Sequence, residues 1–206
     1  YRLAVDTIFD IQKIKHPDLS KYSLKMFITE SNLFFDWYLK NLKSTETNIL
    51  KEEFNLLFKS YLSSIDIPQV LVHRDFHVDN LFYLSKSNSV KCGLIDYQDA
   101  VIGPCTYDLV SLTQDARIDV SMQLEYELIN YFLETNLNIK REDFMLSYYL
   151  LAIQRHMKVL GIFCRLSLRD NKDQYLQHLP RVKKMLYKNL KKKKFEKFYS
   201  LLSPLL

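Results

Sequence analysis

The sequence contains little glycine, no paired cysteines and no long apolar run. Only three of its 206 residues are glycine, at positions 93, 103 and 161, so no Gly-rich phosphate-binding loop of the GxGxxG or GxxxxGK type is present. The three cysteines are widely spaced and form no CxxC pair, which argues against a disulfide framework and a zinc ribbon. No apolar segment approaches the ~20 residues of a membrane-spanning helix, and no signal-peptide pattern opens the sequence. These absences predict a cytoplasmic protein with reduced thiols and no membrane contact.

The composition is that of an ordinary globular domain, but positive charge is concentrated near the C-terminus. Hydrophobic residues make up 48% and charged residues 26% of the chain, which argues against extensive disorder. The net charge is +5, while residues 181–197 carry nine basic side chains and one acid, which leaves −3 elsewhere. We therefore predict a main domain over residues 1–190 and a basic tail over residues 191–206. The basic segment is interpreted as a solvated helix end; the alternative is salt-sensitive nucleic acid binding through Lys191–Lys194.

Helical spacing of apolar residues flanks a short region with strand character. Apolar residues recur at helical intervals over residues 24–42 and 49–65, which predicts two amphipathic helices. Short apolar runs follow at residues 69–72, 81–84 and 90–95, and the polar segment between the last two predicts a hairpin. The helical pattern returns near residues 107–115, 120–134, 142–166 and 174–188. The predicted fold is mainly α-helical with a small β-hairpin. Because the sequence starts at Tyr1 and an amphipathic pattern begins almost at once, we expect it to lie inside a longer gene product.

Candidate chemistry is concentrated on two loops at the ends of predicted strands. The first loop places five ionisable or polar side chains within eight residues: His73, Asp75, His77, Asp79 and Asn80. The second loop follows the hairpin, and its residues are Asp96, Tyr97, Gln98 and Asp99. A folding core would not select such a density of polar groups, so we expect the two loops to converge on one site.

The residue types and their spacing match the needs of phosphoryl transfer. A carboxylate must orient the attacking hydroxyl group and accept its proton, and Mg²⁺ prefers carboxylate and amide oxygens. Asp75 suits the first role. Asn80 lies five positions later, at the spacing of the kinase catalytic loop HRDLxxxN, and Asp96 follows a strand as the metal-binding aspartate of kinases does. Asn80 and Asp96 therefore suit the Mg²⁺ role.

Several of these residues have other interpretations. The alternating histidines and aspartates of the first loop would also suit a metal hydrolase. His73 could have a structural role through a hydrogen bond to the loop backbone. Asp108 could be the ordinary N-cap of the helix that follows it. Arg155 lies inside a long predicted helix and could be either a satisfied core residue or a ligand contact.

Two motifs resemble those of a known family. The first is HRDFHxxNL, beginning at His73, and the second is LIDYQDAxIGPxxYDL, beginning at Leu94. Together they resemble the aminoglycoside phosphotransferase-like kinases, which also include choline and homoserine kinases. The segments IQRHMKVLGIF, RD and LPRV between residues 153 and 182 make the sequence most similar to the bacterial N-acetylmuramate/N-acetylglucosamine anomeric kinases of cell-wall sugar recycling. The resemblance runs from about residue 22 to residue 182.

The resemblance implies a protein-kinase-like fold of two lobes, with ATP and Mg²⁺ as cofactors. An N-terminal lobe would bind ATP, and these 206 residues would supply only the helical C-terminal lobe. Asp75 is implied to be the catalytic base and Asn80 and Asp96 the Mg²⁺ ligands. The residues implied to support the catalytic loop are His73, Arg74, which replaces a glycine common in aminoglycoside kinases, His77 and the loop anchor Asp108. The weaker candidates for substrate binding are Gln98, Asp99 and Arg155.

The implied function is ATP-dependent phosphorylation of a hydroxyl group on a small molecule, with the anomeric hydroxyl of an amino sugar as the favoured acceptor. Choline, homoserine or an aminoglycoside is the alternative acceptor, because a fold does not fix its substrate. A catalytically silent binding module is the alternative from a different class, since no ATP-covering lobe is encoded in the sequence considered. A preceding lobe with a strand hairpin and a strand lysine would favour the enzyme.

Overall fold

The computed structural model describes residues 1–15, 18–40, 44–86, 89–135 and 139–206. Two units are formed, the first from Tyr1–Tyr22 and Asp66–Tyr148 and the second from Ser23–Ile65 and Tyr149–Leu206. The helices are α1 (Arg2–Gln12), α2 (Leu24–Leu33), α3 (Ser44–Ser63), α4 (Tyr107–Thr113), α5 (Met122–Thr135), α6 (Arg141–Asp170), α7 (Leu179–Leu190) and α8 (Glu196–Leu202). The strands are β1 (Gln69–Val72), β2 (Leu81–Lys86), β3 (Ser89–Leu94) and β4 (Val101–Pro104). A π-helical turn spans Phe34–Tyr38, and 3₁₀ turns span Val78–Asn80, Asp173–His178, Lys193–Phe195 and Ser203–Leu205.

Two antiparallel strand pairs position the loops of the first unit. β1 pairs with β4, with Val70 opposite Gly103, and β2 pairs with β3, with Leu81 opposite Leu94. The predicted hairpin is confirmed, although residues 87 and 88 at its tip lie outside the described residues. The sequence patterns do not predict β4, because its glycine and proline are typical of turns. Gly103 packs closely on Tyr22, since a Cβ atom at position 103 would lie 3.1 Å from the Cβ atom of Tyr22, which would have to move by a few tenths of an ångström.

An aromatic core joins the helices of the first unit. The ring of Phe9 in α1 lies 4.9 Å from that of Phe132 in α5, which lies 5.5 Å from the ring of Phe144 in α6. Phe144 stacks on Tyr148, whose hydroxyl donates to Glu125 at 3.0 Å. The sequence shows an amphipathic pattern close to Tyr1, but that pattern does not define the bounds of a helix. The buried apolar face of α1 makes it part of this core.

Aromatic side chains also form the core of the second unit. Phe54 and Tyr61 of α3 lie 5.6 and 5.1 Å, between ring centroids, from Phe198 of α8. The segment predicted as a basic tail, residues 191–206, therefore contains a helix that contributes a buried ring to the unit. The predicted domain boundary after residue 190 stays a prediction.

The helix α2 begins at a serine cap and is followed by the π-helical turn. Ser23 Oγ accepts a hydrogen bond from the backbone N–H of Met26 at 3.2 Å, as N-cap residues do. The single helix predicted over residues 24–42 is thus α2 followed by the π-helical turn, and residues 41–43 lie outside the described part of the chain. Gly161 of α6 packs against the end of α2, where a Cβ atom would lie 2.2 Å from the carbonyl carbon of Leu33. A larger residue at position 161 would require the two helices to separate.

No helix in the described part of the chain is both long and apolar enough to cross a membrane. The predicted cytoplasmic location stays a prediction. The three cysteines, Cys92, Cys105 and Cys164, are outside disulfide bonds in the structure.

We expect Cys105 to resist thiol reagents in the folded protein at pH 8. Its side chain is 2% exposed, and burial raises the pKa of its thiol to about 12. At pH 8 only about one thiol in ten thousand would be the reactive thiolate. Titration with a chromogenic disulfide should therefore modify Cys105 only after unfolding. The wild-type protein should therefore show a slow phase of modification that comes from Cys105. In Cys105→Ala this slow phase should disappear, while the faster modification of the other two cysteines is unchanged. Rapid modification of Cys105 in the folded protein would contradict the expectation.

Candidate active site

A buried carboxylate on α4 holds the first half of the loop that follows β1. Asp108 Oδ2 accepts from the backbone N–H of His73 at 2.7 Å, and Oδ1 accepts from that of Arg74 at 3.0 Å. Asp108 is fully buried. It is not the N-cap of α4, which is Thr106. The bonds of Asp108 to the loop are those that the predicted anchor role requires, and the role itself stays a prediction.

Arg74 links this loop to the segment that follows β3. Its backbone has φ = 75°, a left-handed conformation that costs energy for a residue with a side chain. Its guanidinium group donates to the carbonyl oxygen of Asp99 at 3.1 Å and lies 5.4 Å from the ring centroid of Tyr22. The Arg74 side chain therefore connects the two loops on which the candidate chemistry is concentrated.

The amide of Asn80 joins the predicted base to the predicted metal ligand. Asn80 Nδ2 donates to the carbonyl oxygen of Asp75 at 3.0 Å and lies 3.5 Å from Asp96 Oδ2. The Asn80 carbonyl accepts from the backbone N–H of Ile95 at 3.2 Å. Asn80 is buried, Asp75 is half-buried and Asp96 is exposed. The predicted convergence of the two loops is therefore present in the structure.

Asp96 has the chemistry and exposure of a ligand for a hard cation. Its backbone has φ = 67°, and strained residues of this kind cluster at functional sites. Its Oδ1 accepts from Gln98 Nε2 at 2.7 Å. Because Asn80 Nδ2 donates to Asp75, Asn80 Oδ1 remains as a side-chain acceptor. One carboxylate and one amide oxygen fit Mg²⁺, which takes few protein ligands and keeps several water molecules.

The two loop histidines are buried, and their predicted support of the catalytic loop stays a prediction. His73 is buried, and its Nε2 atom lies 3.0 Å from the carbonyl oxygen of Ile95. Burial lowers the pKa of His73, although the Ile95 carbonyl and the charges of Asp75 and Asp96 oppose that effect. Because a carbonyl oxygen can only accept, Nε2 is the donor in this contact, which supports the structural interpretation of His73. His77 is also buried, and its Nε2 atom lies 3.5 Å from Asn80 Nδ2.

The alternating side chains of the first loop do not form the ligand set of a metal hydrolase. Among the residues that the structure describes, no group of three or more His, Cys, Asp or Glu is arranged to hold a metal ion. His73 is directed to the Ile95 carbonyl, and Asp79 Oδ2 lies 3.3 Å from Arg117 Nε. The hydrolase interpretation is therefore not supported by the geometry.

Sequence reasoning did not identify Asp115, which also binds the loop. Its side chain is 1% exposed, and Oδ2 accepts from the backbone N–H of Val78 at 3.3 Å. Asp115 lies two residues beyond the end of α4, so helical spacing from Asp108 gave no signal for it, and its partner is a backbone N–H group that has no sequence signature.

The three weaker substrate candidates have different surroundings. Gln98 and Asp99 are exposed beside Asp96 in the first unit. Arg155 belongs to α6 in the second unit, where its side chain is 4% exposed. Both interpretations of Arg155 remain, and substrate binding by these three residues stays a prediction.

Comparison with known proteins assigns the chain to a family. Residues 1–141 match the profile of the phosphotransferase enzyme family. The chain belongs to this family. It is 32% identical over 190 residues to an N-acetylmuramate/N-acetylglucosamine kinase of Neisseria meningitidis serogroup B, covering 86% of this chain and 55% of the relative. It is 34% identical over 190 residues to the protein of the same name from Pseudomonas aeruginosa, covering 86% of this chain and 54% of the relative. The chain thus spans about half the length of these relatives.

Solved structures show the fold of this chain. A choline/ethanolamine kinase family protein from Mesorhizobium loti superposes with a TM-score of 0.64 at 12% identity, covering 98% of this chain and 65% of that protein. A spectinomycin phosphotransferase in complex with ADP and spectinomycin superposes with a TM-score of 0.54 at 19% identity, covering 91% and 61%. The predicted kinase-like fold, mainly α-helical with a small antiparallel hairpin, is confirmed.

Proposed function

We propose that the protein containing this chain transfers the γ-phosphoryl group of ATP to a hydroxyl group of a small molecule. The observation that carries the proposal is the position of Asn80, whose amide contacts both the Asp75 backbone and the Asp96 carboxylate. Kinases use a catalytic-loop aspartate together with an asparagine and an aspartate that hold Mg²⁺, and these three residue types lie together here. The family assignment supports the same reaction class.

Asp75 would act on the acceptor, and Asn80 and Asp96 would hold Mg²⁺. The half-buried Asp75 carboxylate would accept a hydrogen bond from the acceptor hydroxyl, orient its oxygen and take its proton as the new P–O bond forms. Asn80 would ligate through Oδ1 and Asp96 through its carboxylate. The chemistry supplied by bound Mg²⁺ is neutralisation of charge on the phosphates.

The fixed loop would supply much of the rate by positioning. Asp108 holds the backbone before Asp75, and the Asp75 carbonyl accepts from both His77 N and Asn80 Nδ2 at 3.0 Å. A base held in this way needs little reorganisation when the acceptor binds. The exposed Asp96 carboxylate remains accessible to ligands from solvent.

The acceptor proposed is the anomeric hydroxyl of N-acetylmuramate or N-acetylglucosamine. The support comes from the relatives of that name at 32% and 34% identity and from the motifs in α6 and α7. Because the fold also hosts a choline/ethanolamine kinase family protein and a spectinomycin phosphotransferase, fold likeness alone does not select the acceptor.

ATP consumption by the full-length protein tests the proposal. Candidate acceptors are N-acetylmuramate, N-acetylglucosamine, choline, homoserine and an aminoglycoside, each with and without Mg²⁺. We expect Mg²⁺-dependent turnover with the two acetylated sugars and a sugar 1-phosphate as product, detected by ³¹P NMR. The matched control is the methyl glycoside of N-acetylglucosamine, which lacks the anomeric hydroxyl and should be inert. Turnover with another acceptor alone would reject the amino-sugar assignment, and no turnover with any of them would reject the kinase.

A further inference from the structure

We propose that Asp115 is a second loop anchor, a positioning residue that holds Asn80 in place for the metal. The inference rests on the proposed function, because it concerns the geometry of a residue expected to ligate Mg²⁺. Asp115 accepts hydrogen bonds from the backbone N–H groups of Val78 and Arg117. It acts through the backbone of the 3₁₀ turn that ends at Asn80.

The two carboxylates of the α4 region hold different halves of the loop. Asp108 accepts from the N–H groups of His73 and Arg74, before the predicted base. Asp115 accepts from the N–H group of Val78, which opens the turn leading to Asn80. N–H groups in the first turn of a helix have no partner within the helix. Asp115 satisfies one of them from 37 residues away in sequence.

Asp115 also holds the loop by a second, indirect route. Its Oδ1 atom accepts from the backbone N–H of Arg117 at 2.8 Å. The side chain of Arg117 then reaches Asp79, with 3.3 Å between Nε and Oδ2. Asp79 directly precedes Asn80 in the same turn. The two Asp115 oxygens therefore act on consecutive positions of the turn, one directly and one through Arg117.

Burial makes this arrangement sensitive to substitution. A buried carboxylate is costly unless it is hydrogen-bonded, and each Asp115 oxygen accepts one N–H. Asparagine has nearly the same shape but only one side-chain oxygen, so its NH₂ group must face one of the two donors. Asp115→Asn should therefore loosen the turn around Asn80 without removing bulk from the core.

The first readout is amide hydrogen exchange of the loop in the full-length protein. In Asp115→Asn we expect faster exchange of the peptide that contains Asp79 and Asn80, with unchanged exchange in β2 and β3. Asp10→Asn, an exposed acid in the same unit, is the matched control and should exchange as wild type. Unchanged exchange at Asp79 and Asn80 in Asp115→Asn would overturn the proposal, and this readout does not depend on kinase activity.

The second readout is the Mg²⁺ requirement of the reaction. Residues that orient metal ligands typically change metal affinity or activity by about 10- to 100-fold. We expect the Mg²⁺ concentration for half-maximal rate to rise by a factor in that range in Asp115→Asn, with a smaller change in acceptor KM. Equal losses at all Mg²⁺ concentrations, together with a lowered melting temperature, would indicate a merely structural role and overturn the proposal.

Val78→Pro tests the hydrogen bond between the Val78 N–H group and Asp115 by itself. Proline removes the N–H that Asp115 accepts, and the first position of a helical turn tolerates it. The preceding His77 is extended, with φ = −126° and ψ = 164°, as a residue before proline prefers. If both changes act through one bond, the effect of Asp115→Asn on exchange at Asn80 should shrink in the Val78→Pro background. If the effects of Asp115→Asn and Val78→Pro on amide exchange at Asn80 were fully additive, the proposal would be overturned. If wild type transfers no phosphoryl group, the proposed function fails while the exchange data still decide the role of Asp115.

Discussion

Asp75→Asn in the full-length protein is expected to lower kcat by about 10²- to 10⁴-fold, the usual contribution of a general base. Asparagine preserves the size of the side chain but cannot accept a proton from the acceptor hydroxyl. The backbone carbonyl at position 75 would still accept from His77 N and Asn80 Nδ2, so the loop should keep its conformation. Steady-state kinetics with an acetylated sugar, ATP and Mg²⁺ would measure the loss.

The loss should appear in kcat and not in the Mg²⁺ requirement. Asp96→Ala, in contrast, removes a predicted metal ligand and should raise the Mg²⁺ concentration needed for half-maximal rate. Asp10→Asn is the matched control, since it makes the same chemical change at an exposed residue paired with Lys13. Near-normal turnover by Asp75→Asn would show that Asp75 is not the base, whatever the acceptor.

The convergence of the two candidate loops could be predicted because local pairing determines it. Asn80 directly precedes β2, and Asp96 follows the end of β3 by two residues. In an antiparallel hairpin the start of one strand lies beside the end of the other. The observed pairing of Leu81 with Leu94 therefore brings Asn80 and Asp96 together without any long-range information.

Contacts between segments that are distant in the sequence could not be predicted in this way. β4 pairs with β1 although the paired residues are 29 to 35 positions apart in sequence, and its Gly-Pro sequence indicates a turn when read locally. Asp115 binds a backbone N–H group, which every residue except proline possesses, so its partner has no sequence signature. Asp108 was identified only because a family motif includes it.

The burial of polar and charged side chains in α6 could not be predicted from the sequence either. Gln154, Arg155, His156 and Lys158 are all buried, although helical spacing alone leaves surface, core and ligand positions open. The structure gives a partner for Lys158 in Glu30 of α2, 128 residues away in sequence. Such a pair becomes visible only when the helices are packed.

Glu30→Ala is expected to destabilise the second unit by about 3–5 kcal/mol, the usual cost of removing one partner from a buried ion pair. Lys158 Nζ lies 3.1 Å from Glu30 Oε1, with the two side chains 9% and 12% exposed. Gln154 Nε2 donates to Glu30 Oε2 at 3.2 Å and to the Phe27 carbonyl at 3.3 Å. Alanine would leave the Lys158 ammonium without its carboxylate and Gln154 without one acceptor. Urea unfolding followed by the fluorescence of Trp37, the single tryptophan of the chain, measures the change.

A double substitution separates the two causes of that loss. In Glu30→Met with Lys158→Met both charges are replaced by apolar side chains of similar length, and such replacements are often neutral or stabilising. We expect the double variant to recover most of the stability that Glu30→Ala loses, because no unpaired charge is left in the helix interface. Asp10→Ala breaks the exposed pair with Lys13 and should leave the urea midpoint unchanged, since solvent screens such pairs. If Glu30→Ala were as mild as Asp10→Ala, the Lys158 ammonium would have to reach water in the variant. If the double variant were as unstable as Glu30→Ala, the loss would come from Gln154 and helix packing, and not from the charge of Lys158.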